Sequence, residues 1–255
     1  MVGSVDVLLE GRTAWITGAA GGIGRAVMER LAASGAAVAG LDIHIPAPTD
    51  DASGDDKWIF TTVDVRDAAS VDRAAKDLIE RVGAPDILVN SAGISTSASI
   101  IGHDLALWND VVGTNLTGSF NLIRQVLGGM CERGFGRIVN VSSGSGFRVA
   151  AAHAAYGASK AGVVALTKAT AGEGAPHGVT ANVVAPGFVD TPMTRALFPT
   201  DEEMKNTATN SPIANPMGRP LRAEELAHAI WFLSLPDSGA ITGQTLHVNN
   251  GGLMI

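Results

Sequence analysis

The sequence predicts an α/β fold with one doubly wound parallel sheet and helices on both of its faces. Short apolar runs of four to six residues recur without polar alternation, which is typical of strands buried on both faces. Longer segments with helical apolar spacing separate these runs, and that alternation indicates βαβ units. No Pro/Ser-rich linker divides the 255 residues, so we expect a single domain over residues 1–255.

Seven of these apolar runs are predicted to be strands of the sheet. In chain order they are residues 14–17, 37–41, 59–63, 86–90, 137–141, 180–184 and 245–248. The connections between them should be right-handed crossovers.

Five helices are predicted between the strands. They are residues 24–34, residues 67–82, a helix within 108–133 that begins near Val111, residues 156–172 and residues 223–235. Gly35 and Pro236 follow the first and the last helix as stop signals. Residues 192–220 have weak periodicity and several prolines, so they are expected to form an irregular lid over a site. The polar run at 50–56 is expected to be a loop.

Composition and charge exclude several classes of protein. A net charge of −7 argues against a general affinity for nucleic acid or acidic membrane surfaces. The single cysteine excludes an internal disulfide framework, and the six histidines lack metal-ligand spacing, so no metal site is expected. The N-terminus does not resemble a signal peptide, and no apolar run of about 20 residues predicts a membrane span. We therefore expect a soluble, cytoplasmic protein with no nucleic-acid or membrane partner.

A glycine-rich turn follows the first predicted strand. Gly18, Gly22 and Gly24 lie between Thr17 and the first predicted helix. Small residues at such a turn let the backbone approach a pyrophosphate, and the helix N-terminus supplies free N–H groups and a favourable dipole. The strand before it and the helix after it favour a Rossmann-like dinucleotide site over a simple tight turn.

An acidic residue follows this turn at the distance expected for binding a ribose. Asp42 ends the second apolar run, 18 residues after Gly24. Its carboxylate would accept hydrogen bonds from the adenosine ribose hydroxyls and would repel a 2′-phosphate. No Arg or Lys lies between Arg30 and Lys57 to neutralise such a phosphate. These residues predict NAD as the cofactor.

Tyr156 and Lys160 form a candidate catalytic pair. Their i, i+4 spacing places them on one face of a predicted helix. An ammonium beside a phenol favours the phenolate, so Lys160 should lower the pKa of Tyr156 and suit it to general acid/base chemistry. Tyr156 is the only tyrosine in the chain. Ser142 and Ser143 close the preceding strand, at the edge where open parallel sheets bind ligands.

Together these features resemble the short-chain dehydrogenases/reductases of the NAD(P)-dependent type, over roughly residues 9–252. The matching motifs are Thr17-Gly18-x3-Gly22-Ile23-Gly24, Asp64-Val65, Asn90-Ser91-Ala92-Gly93, Asn115, Ser143, Tyr156-x3-Lys160 and Pro186-Gly187-x3-Thr191. Ser143 lies 13 residues before Tyr156, a spacing usual in that family. The chain departs from the family pattern at Ser91, where Asn is more frequent, and at Asn250, where Asp is more frequent.

The resemblance implies a role for each member of a catalytic group. Ser143 would hydrogen-bond the substrate oxygen, and Tyr156 would move its proton. Lys160 would bind the nicotinamide ribose, and Asn115 would hold a water that links Lys160 to solvent. His153 stands where family members often point a side chain into the substrate site, although a histidine that simply begins the helix fits its position equally well.

The resemblance also implies further cofactor-binding residues. They are Ile23 beside the pyrophosphate, Asp64 and Val65 at the adenine, Asn90 and Gly93 along the cleft, and Val189 and Thr191 at the nicotinamide carboxamide.

A neutral, partly apolar small molecule is expected as the substrate. The segments that should ring the site are mostly apolar, and their cations, Arg148, Arg195 and Lys205, are scattered along the sequence. A phosphorylated or dicarboxylate substrate would be better served by a paired basic clamp. A single well-aimed Arg148 or Arg195 would instead hold a carboxylate.

The predicted function is hydride transfer between NAD and a secondary alcohol or the matching ketone. A non-catalytic dinucleotide sensor on the same fold is the alternative, and the intact Ser143, Tyr156 and Lys160 speak against it. A lyase or dehalogenase that reuses the fold is another, but such relatives would be expected to lose the glycine turn or the lysine. By resemblance alone, we expect a homotetramer that pairs through the helices containing Asn115 and Tyr156.

Overall fold

The computed structural model describes residues 8–45 and 58–255, and it confirms the predicted doubly wound α/β fold. Seven parallel strands form one sheet in the order β3-β2-β1-β4-β5-β6-β7. They are β1 (Thr13–Thr17), β2 (Ala37–Asp42), β3 (Trp58–Thr62), β4 (Ile87–Asn90), β5 (Gly136–Val141), β6 (Val179–Pro186) and β7 (Thr245–Val248). Every predicted strand is present, and the predicted loop at 50–56 lies outside the described residues.

The described part of the chain also contains eight α-helices. They are α1 (Gly22–Ala33), α2 (Ala68–Val82), α3 (Leu105–Val112), α4 (Gly118–Arg133), α5 (Ala154–Gly174), α6 (Pro192–Arg195), α7 (Asp201–Asn210) and α8 (Ala223–Ser234). Over the same residues, none of these helices combines the length and the apolar character needed to cross a membrane.

Two apolar clusters cover the two faces of the sheet. Ile16 of β1 packs into the cluster that α1 and α8 complete, whereas its neighbour Trp15 packs into the cluster completed by α2 and α4. Both side chains are fully buried. Because successive residues of β1 enter opposite apolar layers, the strand has no polar alternation.

The helix that precedes Asn115 begins earlier than predicted. The sequence favoured a start near Val111, but the helix begins at Leu105, where the Asp104 carboxylate accepts a backbone N–H bond of 2.8 Å. A π-helical turn over Gly113–Thr117 joins α3 to α4 without a break. Such turns are rare in proteins, and those that occur often lie at functional sites. This turn contains Asn115.

The prediction that residues 192–220 are irregular is wrong over α7. Its N-terminus is a capping box in which the Thr200 hydroxyl accepts the Glu203 N–H at 3.2 Å and the Glu203 carboxylate accepts the Thr200 N–H at 2.9 Å. Few residues of α7 are buried, namely Met204, Thr207 and Ala208. Its apolar periodicity is therefore weak, although Thr-x-x-Glu is a readable start signal.

Candidate active site

A cleft of about 530 Å³ opens at the carboxyl ends of the strands, around the reversal of strand order between β1 and β4. Open α/β sheets bind their ligands at this point. Most of the predicted cofactor residues line the cleft, namely Gly18, Gly22, Ile23, Gly24, Asp42, Asp64, Val65, Gly93 and Thr191. Tyr156, Lys160, Asn90 and Val189 lie outside this lining.

The glycine turn is shaped to take a group close to the backbone. Gly18 has a φ of +66°, and a Cβ on it would meet the Ala92 backbone at 2.8 Å. A Cβ on Gly22 would lie 3.0 Å from the Thr191 side chain across the cleft. No side chain in the described part of the protein caps the N-terminus of α1, whose first residues, Gly22, Ile23 and Gly24, line the cleft. Free amides at a helix N-terminus fit a pyrophosphate.

The predicted ribose residue, Asp42, ends β2 on the wall of the cleft. Its carboxylate accepts the Ala20 N–H at 3.0 Å and the His44 N–H at 3.1 Å. These bonds fix the carboxylate against the glycine turn and leave lone pairs for a ligand.

Thr17, to which sequence reasoning gave no role, holds the two sides of the strand-order reversal together. Its hydroxyl accepts the Ser91 and Ala92 N–H groups, each at 3.1 Å. Its place as the last residue of the first strand, beside the glycine turn, was the available signal.

Asn115, Lys160 and Gly93 meet at one point beside the cleft. A Cβ built on Gly93 would lie 3.2 Å from the Asn115 Oδ1 and 3.3 Å from the Lys160 Nζ. Any side chain at position 93 would therefore cover the lysine head. Gly93 lines the cleft, so this glycine opens a path between the cleft and Lys160.

Lys160 is buried, and its Nζ donates to the Val141 carbonyl at 2.9 Å. The Ser142 hydroxyl donates to the Lys160 carbonyl at 2.8 Å, which ties α5 to the end of β5. Burial lowers the pKa of Lys160 to about 8, because the charged ammonium has lost water.

The predicted lowering of the Tyr156 pKa does not appear. Burial raises the pKa of Tyr156, and the nearby Ser143 hydroxyl offsets that rise only in part. The Lys160 Nζ lies 5.8 Å from the centre of the Tyr156 ring. Desolvation of the phenolate therefore dominates over the attraction of the ammonium.

Both N–H groups of the Asn115 amide donate to protein groups, and its oxygen accepts one hydrogen bond. Its Oδ1 accepts the Ile94 N–H at 2.8 Å, and its Nδ2 donates to the Ile94 carbonyl and to the Ser159 hydroxyl, each at 3.0 Å. The Ser159 hydroxyl donates in turn to the Tyr156 carbonyl at 2.8 Å. Sequence reasoning missed Ser159, although its i+3 spacing from Tyr156 was visible.

Ser143 and His153 flank the start of α5. The Ser143 hydroxyl accepts the Ser145 N–H at 3.1 Å, and Ser143 is partly exposed. His153 precedes the first residue of α5, and its Nδ1 lies 3.1 Å from the Ala151 carbonyl. In the neutral ring that contact makes Nδ1 the donor and leaves Nε2 as an acceptor.

Two predicted cofactor residues face other parts of the protein. The Asn90 amide donates to the Asn140 side chain at 2.8 Å inside the sheet, because parallel pairing sets these residues side by side. The Val189 carbonyl accepts the Thr194 hydroxyl at 2.5 Å. The structure therefore brings Asn90 into the sheet rather than onto the cleft wall.

The comparisons with known proteins agree with this geometry. A family model described as enoyl-(acyl carrier protein) reductase matches residues 18–252. A 3-oxoacyl-[acyl-carrier-protein] reductase of Vibrio cholerae is 42% identical over 249 residues, which cover 97% of this chain and 99% of the relative. The chain belongs to the short-chain dehydrogenase/reductase family.

Two further similar proteins show that chains with this fold are described by different reactions. An acetoacetyl-CoA reductase of Allochromatium vinosum is 41% identical over 95% of this chain and 99% of the relative. A crystal structure described as a ribose-5-phosphate isomerase of Brucella melitensis has a TM-score of 0.88 and 34% identity, over 98% of this chain and 95% of that one. Shape alone therefore does not name the reaction.

Family membership gives a coarse function. The chain is an oxidoreductase of the short-chain dehydrogenase/reductase family, and the family implies a nicotinamide cofactor. Across residues 8–45 and 58–255, no three or more His, Cys, Asp or Glu side chains are grouped so that they could hold a metal ion.

The burial of Lys160 predicts a pH-dependent stability. The pKa of Lys160 is about 8 in the folded protein and 10.5, the ordinary value for lysine, in the unfolded chain. Between these two pH values the unfolded chain binds a proton that the folded chain does not. Stability conferred by this site should therefore rise with pH across that window. The free energy of unfolding of the wild type minus that of Lys160→Met should increase by roughly 2–3 kcal/mol from the low-pH end of this window to the high-pH end. Urea unfolding of both proteins at each pH measures this difference.

Lys168→Met removes an exposed lysine of the same helix and is the matched control. A wild-type minus Lys160→Met difference that stays flat, or falls, as pH rises would contradict the buried, pKa-lowered lysine.

Proposed function

We propose that the protein is an NAD(H)-dependent oxidoreductase that interconverts a 3-oxoacyl thioester and the corresponding 3-hydroxyacyl thioester. The convergence of Asn115 and Lys160 on Gly93, 3.2 and 3.3 Å from its Cβ position, carries the proposal. It joins the Tyr156 helix to the wall of the dinucleotide cleft. A sensor that only binds the dinucleotide has no need of a buried lysine beside a partly buried phenol.

The chain's own groups would hold the substrate oxygen and move its proton. When bound, a nicotinamide dinucleotide supplies or accepts the hydride at the substrate carbon. Ser143 would donate a hydrogen bond to the substrate oxygen, and Tyr156 would exchange a proton with it. Burial raises the pKa of Tyr156, so the phenol is protonated at neutral pH. A protonated phenol is suited to reduction of a ketone, in which the new alkoxide must receive a proton.

Asp42 supports NAD rather than NADP. Its carboxylate is fixed at the cleft wall by the Ala20 N–H at 3.0 Å, where an added 2′-phosphate would be repelled. Arg66 also lines the cleft, but the Asp64 and Asp110 carboxylates balance its positive charge, so Arg66 does not offset the negative charge of Asp42.

The names of the relatives and the charges near the lid support a neutral acyl substrate. Both reductases named above act, by their names, on a 3-oxoacyl group carried as a thioester. Arg195 is held by two carboxylates, with its Nε 2.7 Å from Asp190 and its Nη1 2.8 Å from Asp201. It therefore has little capacity left for a substrate carboxylate. Among residues 8–45 and 58–255, the polar contacts of Arg148 are two long ones to carbonyls, at 3.5 and 3.4 Å, and of the two arginines it is the remaining candidate anion ligand.

The proposal includes assembly into a homotetramer through α4 and α5. Phe120 on α4 has 48% of its surface exposed, which suits a contact with another copy.

Tyr156→Phe tests the proton transfer. The change removes only the phenol oxygen, so kcat should fall by about 10²–10⁴-fold while dinucleotide binding and the thermal midpoint stay close to wild type. Steady-state kinetics at the reduced-nicotinamide absorbance band measure kcat, and calorimetry measures binding. A variant that keeps more than about a tenth of the wild-type kcat would show that Tyr156 is not the principal acid/base.

The cofactor preference is tested by comparing NAD(H) with NADP(H). The kcat/KM should favour NAD(H) by at least about tenfold, and Asp42→Ala should narrow the gap. Asp42→Asn is the matched control for the loop, since it keeps an acceptor for the Ala20 N–H while removing the charge. Equal efficiency of the wild type with both cofactors would refute the preference.

The acyl class is tested with a matched pair of ketones. The neutral thioester S-acetoacetyl-N-acetylcysteamine should be reduced with a kcat/KM at least about tenfold above that of free acetoacetate, because the thioester lacks a charge beside the reacting carbonyl. A preference for the free acid that disappears in Arg148→Ala would replace the neutral acyl site with a carboxylate site.

A further inference from the structure

Arg66 occupies the cleft in a fixed orientation, although nothing in the sequence marked it as functional. Its Nε and Nη2 donate to the Asp64 carboxylate at 3.0 and 2.8 Å, and its Nη1 donates to Asp110 at 2.8 Å. All three residues line the cleft. Bonds to carboxylates on two sides fix the plane of the guanidinium even though its side chain is 45% exposed.

The backbone on either side of this guanidinium is also clamped. The Val65 carbonyl accepts the Asn121 amide at 2.9 Å, so the turn after β3 is tied to α4. The Arg66 stem passes 3.5 Å from the point where a Cβ on Gly113 would lie. The arginine therefore meets a ligand as a preorganised group.

The topology decides which half of a dinucleotide would reach Arg66. Lys160 and Tyr156 belong to α5, which follows β5 on one side of the strand-order reversal. Asp42 ends β2, and Arg66 follows β3, on the other side. A pyrophosphate at the N-terminus of α1 lies between these groups. The nicotinamide would therefore point to Lys160 and the nucleobase to Arg66.

Arg66 and Asp64 together offer a donor beside an acceptor. A guanidinium has five N–H groups. Within the described residues the two carboxylates use about three of those of Arg66, which leaves about two for a ligand. The exocyclic amino group of adenine donates a hydrogen bond. The 6-oxo group of hypoxanthine accepts one, and a carboxylate alone would repel it.

We propose that Arg66 is a specificity-determining residue that reads the 6-position of the nucleobase and lets the site accept a 6-oxo base as well as a 6-amino base. Asp64 takes the amino group, and the free N–H groups of Arg66 take the oxo group. This inference rests on the dinucleotide binding proposed above.

Direct binding of two cofactors to the full chain tests the inference. Calorimetry should give dissociation constants for NAD and for nicotinamide hypoxanthine dinucleotide that agree within about threefold in the wild type. In Arg66→Met the hypoxanthine form should weaken at least about tenfold more than NAD, since its oxo group then faces only Asp64. Arg66→Lys, which keeps one charged donor, should give a smaller loss and serves if the methionine variant does not fold.

Arg124→Met is the matched control, because it removes an exposed arginine of α4 whose Nη2 lies 3.4 Å from the Asp72 carboxylate of α2. Equal weakening of both dinucleotides in Arg66→Met would make Arg66 a structural ion pair only and would overturn the inference. Wild-type discrimination against the hypoxanthine form beyond about tenfold would overturn it too. If the wild type binds neither dinucleotide, both the proposed function and this inference about Arg66 fail.

Discussion

The candidate site depends most on the hydrogen bonds of the Asn115 side chain. It pairs with both the N–H and the carbonyl of Ile94, at 2.8 and 3.0 Å, and it also donates to Ser159. One amide thus joins the loop after β4, the π turn and the helix of Tyr156. Asn115 lies within the π turn, a kind of turn that is frequent at functional sites. Without these bonds, the partly buried N–H and carbonyl of Ile94 would lose their partners.

Around that link, the cleft separates two kinds of electrostatic environment. On the β5 side, Lys160 is buried and Tyr156 is partly buried, and loss of water lowers the pKa of the lysine to about 8 and raises that of the phenol. On the β3 side, Asp64 and Arg66 are partly exposed and paired, so the pKa of the carboxyl is held below its ordinary value. Proton transfer suits the first environment, and stable charges that orient a ligand suit the second.

Much of this could be predicted from local pattern. The strands, α1, α2 and α8 follow from apolar period and from glycine and proline punctuation, because these elements bury a regular face in the two sheet layers. The helix α7 could not be found in the same way, since it buries few side chains. The start at Leu105 was missed because exposed residues precede the first buried one, Val111.

For this protein, the sequence by itself determined the fold class, the glycine turn, the Tyr156–Lys160 pair and the family, because each is carried by residue type at fixed spacing. Only the tertiary structure decided how far each of these site residues is buried and which charges lie beside it. Spacing put Lys160 one turn from Tyr156, but burial made desolvation outweigh their attraction. Asn90 reads as part of a cleft motif, yet strand register pairs it with Asn140. Arg66 acquires its place through Asp110, 44 residues away in the chain. Such long-range contacts set solvent exposure and charge, which no local pattern encodes.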